Sequence, residues 1–206
     1  MLMCKMQEYG CAALWNLAAN EDNKVTIAEA GGITTIQSAM KTYYFNANVQ
    51  YYGCAALGTL AVNDNNKKMI AVAGGIPMIV SAMNCHLDSA DVQHYGCAAL
   101  WCLAENDINK VVIANAGGKG AIESAMKKQP NNANVQYYGC AALWTLAEYN
   151  DDNKVMIIEA GGIATIQSAK ETHPKISNVE HYVTLALRSL AYNNDNNQLM
   201  NANAVG

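Results

Sequence analysis

Apolar and small residues recur along the chain with the period of an α-helix. In one stretch, Val135, Gly139, Ala142, Leu143 and Leu146 fall at spacings of three and four residues. This spacing places them on one face of an amphipathic helix. No stretch sustains the period-two alternation that a half-buried strand would show. The pattern therefore predicts an all-α protein.

Polar clusters and glycine pairs divide this pattern into units of three helices. An Asp-Asp-Asn cluster at 151–153 follows one long helix, and such side chains are good N-caps because they accept hydrogen bonds from unpaired amides. A short helix then ends at a Gly-Gly pair, where glycine permits a left-handed backbone and a sharp turn. A second helix, such as 162–170, leads to the next long helix, which is the third of its unit.

Three sequence markers repeat with one period. The string Tyr-Gly-Cys-Ala-Ala-Leu occurs four times at steps of 43 residues, with its glycine at Gly10, Gly53, Gly96 and Gly139. The strings Asn-Lys and Ala-Gly-Gly follow at the same steps, except for one step of 44 residues at an insertion near Tyr149. A degenerate fifth copy runs over 179–206. We therefore expect one solenoid domain, residues 1–206, of about four to five three-helix repeats with partial repeats at both ends.

One repeat departs from the apolar pattern of the second helix. Isoleucine occupies the same position in three repeats, at Ile33, Ile76 and Ile163, but Lys119 replaces it in the fourth. We therefore expect the second helix that carries Lys119 to pack less well than its counterparts.

Composition and charge exclude several classes of function. Hydrophobic residues make up 51% of the chain and charged residues 15%, which argues against intrinsic disorder. The formal net charge is −4 and Arg188 is the only arginine, whereas a nucleic-acid interface usually needs a basic stripe. No apolar run approaches the roughly 18 residues that would span a bilayer, and the first residues lack an apolar secretory segment. We expect neither a nucleic-acid partner nor a membrane partner.

Seven cysteines raise the question of metal or disulfide chemistry. Four of them occupy one equivalent position per repeat: Cys11, Cys54, Cys97 and Cys140. Neighbours in this series should lie about one helix-packing distance apart, roughly 8–10 Å. That is too far for a disulfide, which needs Cα atoms within about 7 Å, and for shared zinc ligation. We expect small, buried, reduced thiols, which suit a cytoplasmic or nuclear protein.

The sequence offers no constellation that is typical of an active site. The motifs G-x-S-x-G and H-E-x-x-H and a phosphate-binding loop are all missing from the sequence. The histidines are scattered, and His94 and His181, which occupy equivalent positions, lie two repeats apart. We therefore expect a protein that is not an enzyme and that binds neither metal nor cofactor.

A unit of about 43 residues with three helices, a Gly-Gly corner and a long third helix resembles the armadillo repeat, and the resemblance covers essentially the whole chain. The stretch NLAANEDNKVTIAEAGGI, from Asn16 to Ile33, is similar to the family's link between one third helix and the next repeat. The period excludes tetratricopeptide and ankyrin repeats, which are roughly 34 and 33 residues long, while HEAT repeats overlap in length and are the nearest alternative. The Gly-Gly corner favours the three-helix armadillo unit over HEAT.

The resemblance implies a right-handed superhelix whose third helices line a concave groove. Armadillo proteins such as importin-alpha and beta-catenin bind extended peptides there. It also implies an asparagine on each third helix that hydrogen-bonds the partner's backbone, with a tryptophan often four residues earlier. The asparagine position holds Asn16, Thr59, Cys102, Thr145 and Ser189 in successive helices, and the tryptophan position holds alanine or leucine. The family's ladder is mostly missing, so its basic-peptide specificity is not carried over.

A different series of residues lies seven positions before the asparagine position. It consists of Tyr9, Tyr52, Tyr95, Tyr138 and Tyr182. Seven residues are about 20° from two full helical turns, so these tyrosines should share the groove-facing side of the third helices. Tyrosine is enriched in binding hot spots, yet tyrosines in repeat proteins also wedge between neighbouring helices. Both interpretations of this series stay open.

Other residues flank the expected groove. Trp15, Trp101 and Trp144 stand next to the asparagine position, and His94 precedes Tyr95. For the tryptophans, packing between repeats is the favoured interpretation. Glu105 and Glu148 lie one helical turn beyond the asparagine position and could pair with a cation on a ligand, although such carboxylates are more often simply solvated.

The sequence therefore predicts a non-enzymatic interaction protein that docks an extended peptide or partner segment along this groove. The alternative is a structural spacer, or a fragment of a longer solenoid, that self-associates head to tail. The sequence itself does not identify the partner or the oligomeric state.

Overall fold

Asparagine and serine side chains begin most of the helices of this protein. Its computed structural model describes residues 2–191. Within that range the chain forms thirteen α-helices and no strand, so the predicted all-α class is confirmed. The helices are α1 (Leu2–Leu17), α2 (Glu21–Glu29), α3 (Gly32–Thr42), α4 (Ala47–Leu60), α5 (Asp64–Val72), α6 (Gly75–Cys85), α7 (Ala90–Ala104), α8 (Asp107–Asn115), α9 (Gly118–Lys128), α10 (Ala133–Ala147), α11 (Asp151–Glu159), α12 (Gly162–Thr172) and α13 (Ser177–Ala191).

Local side-chain chemistry sets the boundaries of these helices. The Asn63 side chain accepts hydrogen bonds from the backbone amides of Asn65 and Asn66, and equivalent asparagines begin α2, α8 and α11. Each first helix then ends at a glycine, such as Gly74, which has a φ of 80°. Only glycine adopts this left-handed backbone without strain, and it turns the chain directly into the second helix.

The repeats stack through their third helices. Helices α1, α4, α7, α10 and α13 pack side by side in that order, and the second helices α3, α6, α9 and α12 form another layer against them. Leucines at two positions of each central third helix, such as Leu100 and Leu103 in α7, are completely buried between the layers. The degenerate fifth copy predicted over 179–206 is described only through α13, and its remainder, 192–206, lies outside the described residues.

Buried amide side chains connect the helices within and between repeats. The Gln50 amide donates to the carbonyls of Met40 and Tyr43, at 2.9 and 3.0 Å, which ties the end of α3 to α4. Between repeats, the Asn66 amide donates to the Lys24 carbonyl at 2.9 Å. The bond to Met40 satisfies a carbonyl in the last turn of α3, where a helix lacks partners of its own, and the bond from Asn66 ties the first helices of two repeats together.

Among residues 2–191, no single helix is long and apolar enough to cross a bilayer, although α5 and α6 taken together, which meet at 73°, reach the length and composition of a broken span.

The second helix that carries Lys119 packs as closely as its counterparts, contrary to expectation. Lys119 is 6% exposed, and Ile122, Ala125 and Met126 of the same helix are also buried. A second charged side chain, Glu123, is buried beside it at 4% exposure. Burial lowers the pKa of Lys119 more than the Glu123 and Glu159 carboxylates raise it, so the pKa lies below its ordinary value. The departure from the isoleucine pattern is therefore accommodated by burial of two charged residues rather than by loose packing, and the ion pair of Glu123 is formed with Lys127, whose Nζ lies 3.8 Å from Glu123 Oε2.

The glycine of the Tyr-Gly-Cys string allows a third helix to touch the preceding second helix. A Cβ atom added at Gly53 would lie 2.5 Å from Met40 Cγ, and one added at Gly96 would lie 2.5 Å from Met83 Cγ. At Gly10, the equivalent position of α1, an added Cβ would meet nothing within 4 Å. The glycine is thus required wherever a methionine packs against it.

These glycines give a matched pair of substitutions. We expect Gly96→Ala to lower the free energy of unfolding by about 1–3 kcal/mol, because the new methyl group displaces Met83 from its packing. Gly10→Ala should raise it by about 0.5–1 kcal/mol, because alanine favours the helix and has open space there. Urea unfolding followed by circular dichroism measures both. Equal effects of the two substitutions would contradict the packing described.

The two buried charged residues, Lys119 and Glu123, give a second prediction. Replacing both residues by those of the first repeat, as Lys119→Ile with Glu123→Gln, should stabilise the fold by about 1–4 kcal/mol, because it removes two buried charges that form no ion pair with each other. Burial raises the pKa of Glu123, so its ionisation destabilises the fold as pH rises above the unfolded value of 4.5. The gain should therefore be larger at neutral pH than at about pH 4. A double variant that is less stable than the original would contradict this prediction and show that the two buried charges stabilise the repeat.

Candidate functional site

The third helices bring their aromatic side chains into one continuous row. We define the aromatic row as the rings carried by α1, α4, α7, α10 and α13 that contact each other: Trp15, Tyr51, Tyr52, His94, Tyr95, Trp101, Tyr137, Tyr138, Trp144, His181 and Tyr182. The row connects five helices that are far apart in sequence. It includes four of the five tyrosines of the predicted series.

Two of the three tryptophans of the row reach beyond the neighbouring helix. The ring centroid of Trp15 lies 6.2 Å from that of Tyr52 in the next third helix and 5.3 Å from that of Tyr95 in the one after. Trp101 repeats this arrangement, at 5.8 Å from Tyr138 and 5.7 Å from Tyr182. The tryptophans therefore pack between repeats, as the sequence favoured. Trp15 and Trp101 each span three successive third helices, whereas the ring centroid of Trp144 lies 5.7 Å from that of Tyr182 in the next third helix.

His94 joins the two tryptophan-centred groups of rings. Its ring stacks on Tyr95 at 4.2 Å and on Tyr138 at 5.1 Å between centroids. Burial lowers the pKa of His94 more than the Asp91 carboxylate raises it, so the pKa lies below its ordinary value. A histidine held mainly neutral between two phenol rings serves packing in this position.

Burial differs along the tyrosine series. Tyr9 is 66% exposed, whereas Tyr52, Tyr95, Tyr138 and Tyr182 are half-buried and pack against the core. Tyr51, which precedes Tyr52, has its pKa raised to about 12, chiefly by burial and also by the nearby Tyr95 and Tyr52. The rings thus pack against neighbouring repeats and keep part of their surface accessible, and that they line a partner-binding groove stays a prediction.

The asparagine position is occupied in different ways along the row. Asn16 is exposed, and its amide donates to the Ala12 carbonyl of its own helix at 3.0 Å. Thr59, Cys102 and Ser189 are half-buried. Thr145 departs from the expectation that it lines the groove: it is 5% exposed, and its hydroxyl donates to the Ala141 carbonyl. A threonine at this depth has no free hydroxyl to offer a partner.

The row borders a central pocket between α4 and α7. We use this name for a cavity of about 210 Å³ whose walls include Gly58, Thr59, Tyr95, Cys102 and Tyr138. Four of these five residues belong to the predicted groove set, so the structure brings them together around one space. Ala55 and Ala98, which stand where the family resemblance implies tryptophan, also line it.

The glutamates that flank the row are engaged by buried lysines. Lys67 Nζ donates to Glu105 Oε2 at 2.8 Å and to Asp64 Oδ1 at 3.1 Å. Burial lowers the pKa of Lys67, but the hydrogen bonds and charges of Glu105 and Asp64 outweigh it, so the pKa lies above its ordinary value. Lys110 Nζ donates to the Glu148 backbone carbonyl at 2.9 Å. That these glutamates bind a ligand cation stays a prediction.

Sequence reasoning missed the role of these lysines. The Asn-Lys pair served only as a repeat marker, yet each lysine of the pair forms an ion pair with an acidic residue three positions earlier, as Lys67 does with Asp64. The recurrence of an acid at that position was the signal that could have identified them. Lys67 and Lys110 also link their first helices to the end of the following third helix.

The cysteines are placed for packing. Cys54, Cys97 and Cys140 are completely buried, and burial raises the pKa of Cys54 and of Cys140 to about 12 and that of Cys97 as well. Cys102, beside the central pocket, has its pKa raised to about 11, again chiefly by burial. Among the described residues, no group of three or more His, Cys, Asp or Glu side chains is close enough to hold a metal ion.

Comparison with solved structures places this geometry among known folds. An engineered protein superposes with a TM-score of 0.79 at 25% identity, covering 91% of this chain and 75% of that one. A second engineered protein gives 0.76 at 24% identity, covering 89% of this chain and 44% of that one. A designed armadillo repeat protein in complex with the peptide (KR)4 gives 0.72 at 19% identity, covering 86% of this chain and 72% of that one. No family model and no curated protein matches the sequence.

These likenesses define the class of protein to which the fold corresponds. The chain is an all-α solenoid of the armadillo type, with a designed armadillo repeat protein among its structural neighbours. The resemblance that the sequence indicated is therefore confirmed at the level of the fold. The neighbours are engineered repeat proteins, which supports a repeat scaffold for this chain.

The burial of the thiols predicts a pattern of reactivity. At about pH 8 a disulfide reagent such as DTNB should label Cys4 and Cys85, which are partly exposed, well before Cys11, Cys54, Cys97 and Cys140. The buried thiols should react only as fast as the protein unfolds, because burial keeps them protonated and out of contact with the reagent. Mass spectrometry of the labelled sites over time measures this order. Rapid native labelling of Cys54 or Cys140 would contradict the packing described.

Proposed function

We propose that this protein is a non-enzymatic scaffold that binds an extended peptide or partner segment along the aromatic row of its third helices. The observation that carries the proposal is the continuity of the row: half-buried tyrosines on successive third helices expose parts of their rings on one side of the solenoid. An extended segment meets such a surface repeat by repeat. Affinity would come from several modest contacts, because rigid aromatic rings lose little entropy on binding.

The comparison supports the mode of binding more than the identity of the partner. The designed armadillo repeat protein with the same fold is bound to a peptide of alternating lysine and arginine. In this chain the Glu105 carboxylate is already paired with Lys67, which leaves it less able to recognise such a sequence. We therefore propose the extended-peptide mode for this protein without the basic specificity.

A second candidate function is self-association. The first helix exposes apolar side chains at three-residue spacing, with Met3 at 71%, Met6 at 64% and Tyr9 at 66% exposure. These positions lie on one face of α1. However, the exposed positions of α13 are polar and include Glu180, Thr184 and Arg188, so the two end helices of the described range are poor apolar complements.

Selection from a library of random linear peptides tests the proposed function. The selected peptides should bind the protein with an affinity that falls at least about tenfold in the Tyr52→Ala/Tyr95→Ala/Tyr138→Ala variant, since hot-spot truncations commonly cost this much. Fluorescence anisotropy measures binding. A matched control, Val72→Ala with Ile108→Ala, removes exposed apolar side chains from α5 and α8 and should leave affinity unchanged.

Because the tyrosines also pack against the repeats, the test needs a readout that does not depend on the triple variant. Amide hydrogen exchange of the unmodified protein with bound peptide should show protection along α4, α7 and α10. Failure to select any peptide, or protection confined to α5 and α8, would overturn the proposal. Light scattering should give the monomer mass of 22.1 kDa, whereas a mass that grows with concentration would favour self-association.

A further inference from the structure

The central pocket exists where one repeat lacks two side chains that later repeats possess. Trp101 and Trp144 of α7 and α10 are each followed by a glutamate four residues later, Glu105 and Glu148. The corresponding residues are Gly58 of α4 and Val62, which follows the end of α4, and both line the central pocket. The repeat that contains α4 thus has neither the indole nor the carboxylate that the next two repeats carry at these two positions.

The missing indole can be located from its counterparts. Trp15 contacts Tyr52 and Tyr95, and Trp101 contacts Tyr138 and Tyr182 in the same relative positions. A tryptophan at position 58 would by the same relation face Tyr95 and Tyr138. These are two of the rings that line the central pocket, so its walls match those that hold an indole elsewhere in the chain.

The chain itself cannot supply that indole from α4. A Cβ atom added at Gly58 would lie 3.1 Å from both the Cα and the Cβ of Ala99 in α7. The two helices therefore approach each other too closely for a larger side chain at this position to be accepted without movement. The open space beside them remains available to a side chain that arrives from outside.

The missing carboxylate leaves a buried lysine with fewer partners than its counterpart. Lys67 is paired with its own Asp64 and with Glu105 of the following third helix. Lys24, the equivalent residue one repeat earlier, is paired with Glu21, and the residue in the place of Glu105 is Val62. The Lys24 side chain is 4% exposed and lines the central pocket. Its positive charge is complementary to an anionic group placed beside Val62.

We infer that the central pocket binds an aromatic side chain of the partner together with a neighbouring carboxylate. The ring, with an indole as the best fit, occupies the space between Tyr95 and Tyr138. The carboxylate reaches Lys24 and takes the place that Glu105 has at Lys67. This inference rests on the proposed function, because it identifies which residue of an extended partner the row would read.

N-acetyl-tryptophan is a suitable probe because it carries an indole and a carboxylate in one small molecule. Its binding can be followed through the methyl NMR signals of Ala55, Ala98 and Ala99 in alanine-labelled protein. We expect saturable shifts of these signals at millimolar probe. N-acetyl-tryptophanamide should bind about threefold to tenfold more weakly, because it lacks the charge-assisted hydrogen bond to Lys24. N-acetyl-leucine, which lacks the ring, should produce no saturable shift.

Three substitutions make the test specific. Ala98→Leu fills the pocket and should weaken binding of N-acetyl-tryptophan at least about tenfold, whereas Ala12→Leu, at the equivalent position of α1, should leave it unchanged. Lys24→Met should abolish the preference for the acid over the amide while keeping the ring bound. Circular dichroism confirms that each variant is folded.

Several results would overturn the inference. They are equal binding of the acid and the amide to the unmodified protein, equal binding of N-acetyl-leucine, or shifts that persist in the Ala98→Leu variant. These outcomes are separable from failure of the proposed function. If library peptides bind along the row but the probe does not enter the pocket, the inference is wrong and the scaffold function stands.

Discussion

Side-by-side packing of the third helices is the constraint on which the rest of this structure depends. A repeat of this size cannot bury its apolar face alone, so it must share an interior with its neighbours. The sequence meets this requirement with small residues where helices touch. Gly53 and Gly96 leave space for Met40 and Met83, and completely buried Cys54 and Cys97 follow them in the chain. Longer side chains at these positions would separate the layers and expose the leucines between them.

The same packing arranges the aromatic rings that we assign to partner binding. Because the third helices are adjacent and in register, Trp15 reaches rings on the next two third helices, and Trp101 does the same further along. Stability and recognition therefore use the same side chains, with one part of each ring packed and another part accessible. Among α1, α4, α7 and α10, the exception is Gly58, where the approach of Ala99 excludes a ring and leaves the central pocket. A regular array thus acquires one distinctive position through one irregular residue.

The sequence predicted the architecture because repetition makes it redundant. Three markers with a common period gave the three-helix unit, and the periodicity of Val135, Ala142 and Leu146 gave the face that is buried. The details that it did not predict depend on distances between repeats. Nothing local shows that Thr145 lies deeper than Thr59, that Trp15 reaches Tyr95, or that Lys119 can be buried with Glu123. Likewise the partner of each buried lysine, such as Glu105 for Lys67, becomes visible only when consecutive repeats are stacked.

The central claim is that the aromatic row acts as one surface extending over several repeats. Intermolecular nuclear Overhauser effects between an isotope-labelled bound peptide and the tyrosine ring protons of the protein test it most directly. We predict contacts from a single extended peptide to Tyr52, Tyr95 and Tyr138, in the order of the third helices that carry them. Contacts restricted to the rings of one repeat, or made only to side chains of the first helices, would contradict it.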